Sequence, residues 1–191
     1  MKSGLVRGFL SVGIWTFISR VSGFVRDILM DAWLGTGPVA EAFLIALSLP
    51  NMFRRFFAEG AFNTAFVPIF SKKLEDRGDA ERFAAQAFSG LFMIVMILSA
   101  VAMIFMPALV WLMAAGFQGD ERFALAVEYG RITFPYILLI SLASMISGVL
   151  NANGRFTAAA AAPVLLNLLF IVAMGLGRWR GWDLELTLAW A

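Results

Sequence analysis

Charge is absent from three long stretches of this 191-residue sequence: between Arg82 and Asp120, between Arg131 and Arg155, and between Arg155 and Arg178. Each stretch exceeds the ~20 apolar residues with which a helix crosses a ~30 Å hydrocarbon slab. Hydrocarbon offers backbone N–H and C=O groups no partner, so such a segment satisfies them within itself, as helix. The expected fold is therefore an all-α, polytopic membrane helix bundle, with spans near 85–114, 132–150 and 157–177. The composition suits the same medium: 61% of residues are drawn from AVILMFWYC and 15% are charged, where a soluble domain carries ~25%. The chain has no Cys and no His. That excludes disulfides, thiolate or imidazole zinc sites, His-ligated haem, a cysteine nucleophile and a Ser-His-Asp triad, and leaves chemistry to carboxylates, arginines and hydroxyls. A net charge of +2 gives no ground for nucleic acid as a partner.

The first 70 residues interrupt their apolar runs with charge. GFLSVGIWTFIS (8–19) leads into Arg20, Arg26, Asp27 and Asp31 before the turn signal Leu34-Gly35-Thr36-Gly37-Pro38; a run from Ala42 to Pro50 leads into Arg54, Arg55 and Glu59. One reading makes the start a signal peptide, with Lys2 and Arg7 as its basic end and Val21-Ser22-Gly23 as its cleavage site. The preferred reading is two long helices, about 8–33 and 39–70, because every later segment also suits a membrane. On a wheel of about 100° per residue, Arg20, Asp31, Asp27, Thr16, Gly23, Ser19 and Arg26 share an arc about 140° wide, facing away from an apolar side that includes Phe17, Phe24 and Ile28. In the second helix Glu41, Ser48, Arg55, Glu59 and Asn63 fall within about 80°, and Arg54 lies about 100° from Arg55. Pro50 is placed to alter that phase, and the wheel leaves open which arginine turns inward.

Loop charges set the expected topology. With the N-terminus inside, Lys2, Arg7, Lys72, Lys73, Arg77, Arg82 and Arg155 are cytoplasmic, against Arg122, Arg178, Arg180 and the helix-edge Arg131 outside. The positive-inside rule favours this orientation, which also puts Trp111, Trp179 and Trp182 near the outer interface. The final apolar run, 186–191, is too short to span and is expected to start a sixth span of a longer polypeptide.

Four arginines (Arg20, Arg26, Arg54, Arg55) and four carboxylates (Asp27, Asp31, Glu41, Glu59) occupy the first two helices. An arginine at the bilayer centre costs ~2.5–3.5 kcal/mol on insertion scales. Such helices either tie themselves together by ion pairs or line a hydrated cavity that grips an anion. Arginine suits phosphate in particular, since its planar fork makes paired N–H···O bonds and it stays charged when partly desolvated. The other polar features read as packing: Ser141, Ser144, Ser147 and Gly148 as a small-residue stripe, Asn167 as an interhelical hydrogen bond, and Pro107, Pro135 and Pro163 as kinks. No metal or cofactor is implied.

The stretches SRVSGFVRD (19–27), LPNMFRRFFAEGAFNTAFVPIF (49–70), FPYILLISLASMISGVLNANGRF (134–156) and AAAAPVLLN (159–167) closely resemble, in order and spacing, the N-terminal part of the MurJ/MviN lipid II flippases. These belong to the multidrug/oligosaccharidyl-lipid/polysaccharide exporter superfamily. The resemblance implies the N-terminal lobe of a two-lobe alternating-access transporter, with a C-terminal lobe beyond residue 191 as its partner. It implies a flippase, not an enzyme, moving lipid II, the undecaprenyl-diphosphate-linked disaccharide-pentapeptide, to the outer face of the bacterial cytoplasmic membrane. By the same resemblance Arg20, Arg26 and Arg54 bind the diphosphate, and Glu41 matches an acidic cavity position where Asp is usual. Asp27, Asp31, Arg55 and Glu59 are left as cavity or ion-pair partners. The competing readings are an exporter of another lipid-linked glycan or of drugs, and a membrane enzyme acting on polyprenyl diphosphates. The enzyme normally needs a histidine or a DDxxD-like cluster, and the sequence has neither.

Overall fold

The computed structural model describes residues 2–57, 61–75 and 79–190, and the side chains of all of these except 2–11, 55–57 and 61–63. Arg55 and Glu59, both named above, therefore lie outside the described side chains. Every regular element among the described residues is helical: α1 (Lys2–Leu34), α2 (Pro38–Phe57), α3 (Ala61–Glu75), α4 (Ala80–Ile104), α5 (Met106–Met113), a single 3-10 turn (Ala115–Phe117), α6 (Glu121–Thr133), α7 (Tyr136–Ala152), α8 (Phe156–Arg180) and α9 (Leu184–Trp190).

Local chemistry fixes the ends. α1 stops at Gly35, which adopts φ 71°, a left-handed turn that costs glycine nothing, and Pro38 opens α2 where a missing N–H does no harm. Asp120 caps α6 by accepting from the Arg122 backbone N–H at 3.3 Å. α8 ends at Gly181, φ 69°, where the Trp182 N–H closes back on the Gly177 carbonyl at 2.9 Å.

Among the described residues, three segments are long and apolar enough to cross a membrane: Ala80–Ile104, Glu121–Ala152 and Phe156–Arg180. Prolines shape the first two. Pro107 has no N–H for the Met103 carbonyl, so α4 ends and α5 resumes one residue later, and the Arg131 Nε donates to that carbonyl at 3.2 Å. The helical stretch expected from 85 to 114 is thus two helices. Pro135 separates α6 from α7, and together they make a candidate span, Glu121–Ala152, that contains the expected 132–150, with Glu121, Glu128 and Arg131 exposed in its first third. Apolar side chains such as Ile94, Ile97, Leu165 and Leu169 remain 59%, 58%, 61% and 60% exposed, the surface that lipid covers in a bilayer.

Helices that run the same way pack side by side. Ser19, Arg26 and Trp33 of α1 meet Asn167, Phe170 and Arg178 of α8 in rising order, so the two are parallel. Glu41, Phe43 and Phe53 of α2 meet Arg122, Tyr129 and Phe134 in the same sense, with edge-to-face ring pairs at 6.1 and 5.5 Å. The Val21–Gly23 segment lies within α1, where a Cβ on Gly23 would sit 3.3 Å from Asn167 Nδ2. Close α1–α8 approach at this level depends on the glycine.

Candidate functional site

The polar arc of α1 divides in two. Ser19, Ser22, Gly23, Arg26 and Met30 turn toward α8 and the bundle, while Arg20, Asp27 and Asp31 are exposed. Arg26 is held by three neighbours. Its Nη1 donates to Asn167 Oδ1 at 2.8 Å, its Nη2 and Nε donate to Asp27 Oδ1 at 2.7 and 3.0 Å, and its guanidinium lies 5.9 Å from the Phe170 ring centroid. Asn167 is itself fixed: its Nδ2 donates to the Ser19 carbonyl at 3.0 Å and to Ser22 Oγ at 3.2 Å. The expected interhelical role of Asn167 and the orientation of Arg26 are therefore one network.

Arg26 lines a cavity of about 280 Å³ shared with Asn51 and Arg54 of α2, Thr133 and Tyr136 on either side of the Pro135 break, and Leu166 and Phe170 of α8. The last two lie near the middle of α8 and the kink near the middle of Glu121–Ala152, so the cavity sits at mid-depth. On α2, Leu47, Asn51 and Arg54 follow the i, i+4, i+7 spacing of one face, between the buried Ala42, Ala46 and Leu49 and the exposed Glu41 and Ser48. Of the two adjacent arginines, Arg54 is the one whose described side chain reaches the cavity. Pro50, one turn away, deprives the Ala46 carbonyl of its helical donor, and the Thr133 hydroxyl, bonded to the Tyr129 carbonyl at 2.9 Å, lies 3.4 Å from it.

The described cavity walls carry two guanidinium groups, one amide and two hydroxyls, but no carboxylate; Asp27 reaches Arg26 from the exposed side. Such a lining accepts an anion with hydrogen-bonding substituents. Two expected site residues lie elsewhere. Arg20 is exposed on α1, six residues before Arg26 and about 9 Å away along the helix axis. Glu41 lies at the start of α2, thirteen residues and about 20 Å along the helix axis from Arg54. There its Oε2 accepts from Arg122 Nη1 at 2.7 Å, and Arg122 also bonds Asp120 Oδ2 through Nε at 2.6 Å and stacks 4.6 Å over Phe117. Hydrogen bonding from the Arg122 side chain holds the Asp120 carboxyl below its ordinary value. Asn51, Thr133 and Tyr136 were not singled out from sequence. The signal for Asn51 was its place one turn before Arg54, and for the other two their positions flanking Pro135.

Parallel helix pairs around a cationic hollow at mid-depth, beside a broken helix, define a polytopic membrane protein with a central polar site. The family model described as "Lipid II flippase MurJ" matches residues 30–191, and the chain belongs to that family. It is similar to the "Probable lipid II flippase MurJ" of Rhizobium tropici, 47% identical over 190 residues, covering 97% of this chain and 36% of the relative. The "Lipid II flippase MurJ" of Burkholderia cenocepacia is 41% identical over 172 residues, covering 88% of this chain and 33% of the relative. A solved structure described as "Lipid II flippase MurJ, inward closed conformation" superposes with a TM-score of 0.76 at 30% identity, covering 94% of this chain and 38% of that one. The chain thus spans about a third of the length of these curated relatives.

Proposed function

We propose that this chain is the N-terminal lobe of a transporter that moves lipid II from the inner to the outer face of the bacterial inner membrane, its N-terminus cytoplasmic and a C-terminal lobe completing the path. The observation that carries this reading is the convergence of Arg26 and Arg54 on a mid-depth cavity whose described walls hold no carboxylate. A diphosphate entering an apolar slab loses its hydration, and two guanidinium groups with amide and hydroxyl donors replace it in part. The polyprenyl tail stays in lipid while the charged head and its sugars occupy the cavity. Arg20, exposed on α1, meets the head on the side that the second lobe faces, and Glu41 acts at the outer end of the path when the head leaves. Rocking of the lobes about the fixed site exposes it to each side in turn, and no bond is made or broken.

Binding of a polyprenyl diphosphate by the intact protein tests the reading. Arg26→Gln and Arg54→Gln each lower affinity about tenfold or more, as the loss of a charge-assisted contact requires, and the corresponding monophosphate binds more weakly to the unaltered protein. Equal affinity for both lipids in all three proteins would sink it.

A further inference from the structure

Two proline breaks face each other across the wall of the central cavity. Pro50 interrupts α2 and Pro135 separates α6 from α7, and the nearby rings of Phe53 and Phe134 meet edge to face with centroids 5.5 Å apart. Thr133 stands between the breaks, 4% exposed and on the cavity lining. Its hydroxyl has one proton to donate and three carbonyls in reach: Tyr129 at 2.9 Å, Ala46 at 3.4 Å and Gly130 at 3.5 Å.

The three acceptors differ in what else serves them. Tyr129 and Gly130 belong to the helix of Thr133 itself, whose ladder supplies backbone donors, and the Phe134 N–H closes on the Gly130 carbonyl at 2.9 Å. The Ala46 carbonyl has lost its regular donor to Pro50, and Ala46 is fully buried, out of reach of water. Among the described residues, the Thr133 hydroxyl reaches that carbonyl from the facing helix.

Asn51 and Arg54 lie one and four residues beyond Pro50, so the bend there sets how both enter the cavity. Four residues are about 6 Å of helix, over which a ~10° change of bend displaces the chain by about 1 Å, enough to break a hydrogen bond made at ~2.9 Å.

We infer that Thr133 is a positioning residue for Arg54: by bonding the carbonyl that Pro50 leaves bare, its hydroxyl fixes the bend of α2 and so aims the guanidinium into the cavity. The inference rests on the reading of this cavity as a diphosphate site. Thr133 acts through α2 and not by touching the anionic head, since its proton is committed to carbonyls.

Binding of a polyprenyl diphosphate by the intact protein is measured for Thr133→Val, which keeps the branched shape and removes the hydroxyl, alone and combined with each arginine substitution. Thr133→Val is expected to lower affinity about fivefold alone and with Arg26→Gln, but by less than about twofold with Arg54→Gln, where no guanidinium is left to aim. Thr133→Ser, which keeps the hydroxyl, restores most of the affinity. Pro50→Ala returns a backbone N–H to the Ala46 carbonyl, so it recovers assembled protein if Thr133→Val alone fails to assemble. Parental affinity in Thr133→Val beside a loss in Arg54→Gln overturns this inference and leaves the diphosphate reading standing; parental affinity in Arg54→Gln as well removes the reading itself. An equal loss in the Arg54→Gln background, or an unassembled Thr133→Val that Pro50→Ala does not recover, marks a general packing role and likewise overturns the inference.

Discussion

Replacing Asn167 by leucine keeps the branched shape of a side chain that is 6% exposed and removes its three hydrogen bonds to α1. Hydrogen bonds between membrane helices average ~0.6 kcal/mol each, which sets the scale for the two made by Nδ2. The bond from Arg26 is charge-assisted and worth ~1.5–3 kcal/mol. The Ser19 carbonyl keeps the Ser22 hydroxyl at 3.0 Å, and Arg26 keeps Asp27, so neither is orphaned. Asn167→Leu should therefore destabilise the protein by about 2–4 kcal/mol, at the α1–α8 contact alone. Equilibrium unfolding in mixed micelles measures the total, and a crosslink between cysteines placed on α1 and α8 reports where the loss falls. Asn167→Asp separates orientation from stability: it keeps an acceptor for Arg26 but turns two donors into acceptors facing Ser19 and Ser22. It should cost similar stability while neutralising the cavity cation. Stability within 0.5 kcal/mol of the parent for Asn167→Leu would refute the idea that this amide both joins the helices and aims the arginine.

Three further outcomes are expected. A Cβ on Gly130 would sit 2.8 Å from Sδ of the fully buried Met106, so Gly130→Ala should cost ~1–3 kcal/mol by overpacking; Met106→Ala in the same chain should recover part of the loss in a double-mutant cycle, and strict additivity would count against the contact. Arg131→Met should cost ~1–3 kcal/mol by leaving the Met103 carbonyl without a donor; Pro107→Ala restores a backbone N–H to that carbonyl and should make Arg131 dispensable, so an unchanged cost in the Pro107→Ala background refutes the cap. Asp120 titrates below its ordinary value because Arg122 bonds its charged form, so its contribution is present above the unfolded-state pKa and is lost as pH falls through the depressed folded value; the stability difference between parent and Asp120→Asn should be visible at neutral pH and vanish in acid, whereas a difference that persists through the acid limb contradicts the pairing.

The charge-free stretches made the helical membrane class readable, because the cost of a charge in hydrocarbon leaves its mark directly on composition. Helix breaks were less readable. Pro107 and Pro135 stand out in the sequence, but a proline either ends a helix or bends it, and the outcome rests on whether a distant donor such as Arg131 rescues the freed carbonyl. The wheel found the polar side of α1 but merged two arcs, one turned toward α8 and one exposed, since it holds no information on which neighbour packs where. Arg54 over Arg55 came from family resemblance, because only the partners of Leu47 and Asn51 reveal that the cavity face of α2 borders its exposed arc. Asn167 illustrates the limit best: an isolated amide in an apolar span signals a hydrogen bond, but its link to an arginine 141 residues away exists only in the fold.

In the proposed function Arg26 and Arg54 together hold the anionic head during passage. This is tested by following the appearance of lipid II on the outer face in cells that depend on the intact protein and carry it with Arg26→Gln and Arg54→Gln. The expected result is normal amounts of inserted protein and no outward movement, with Arg→Lys at both positions restoring part of it because charge returns without the paired geometry. Outward movement at the parental rate in the double Gln variant would contradict it.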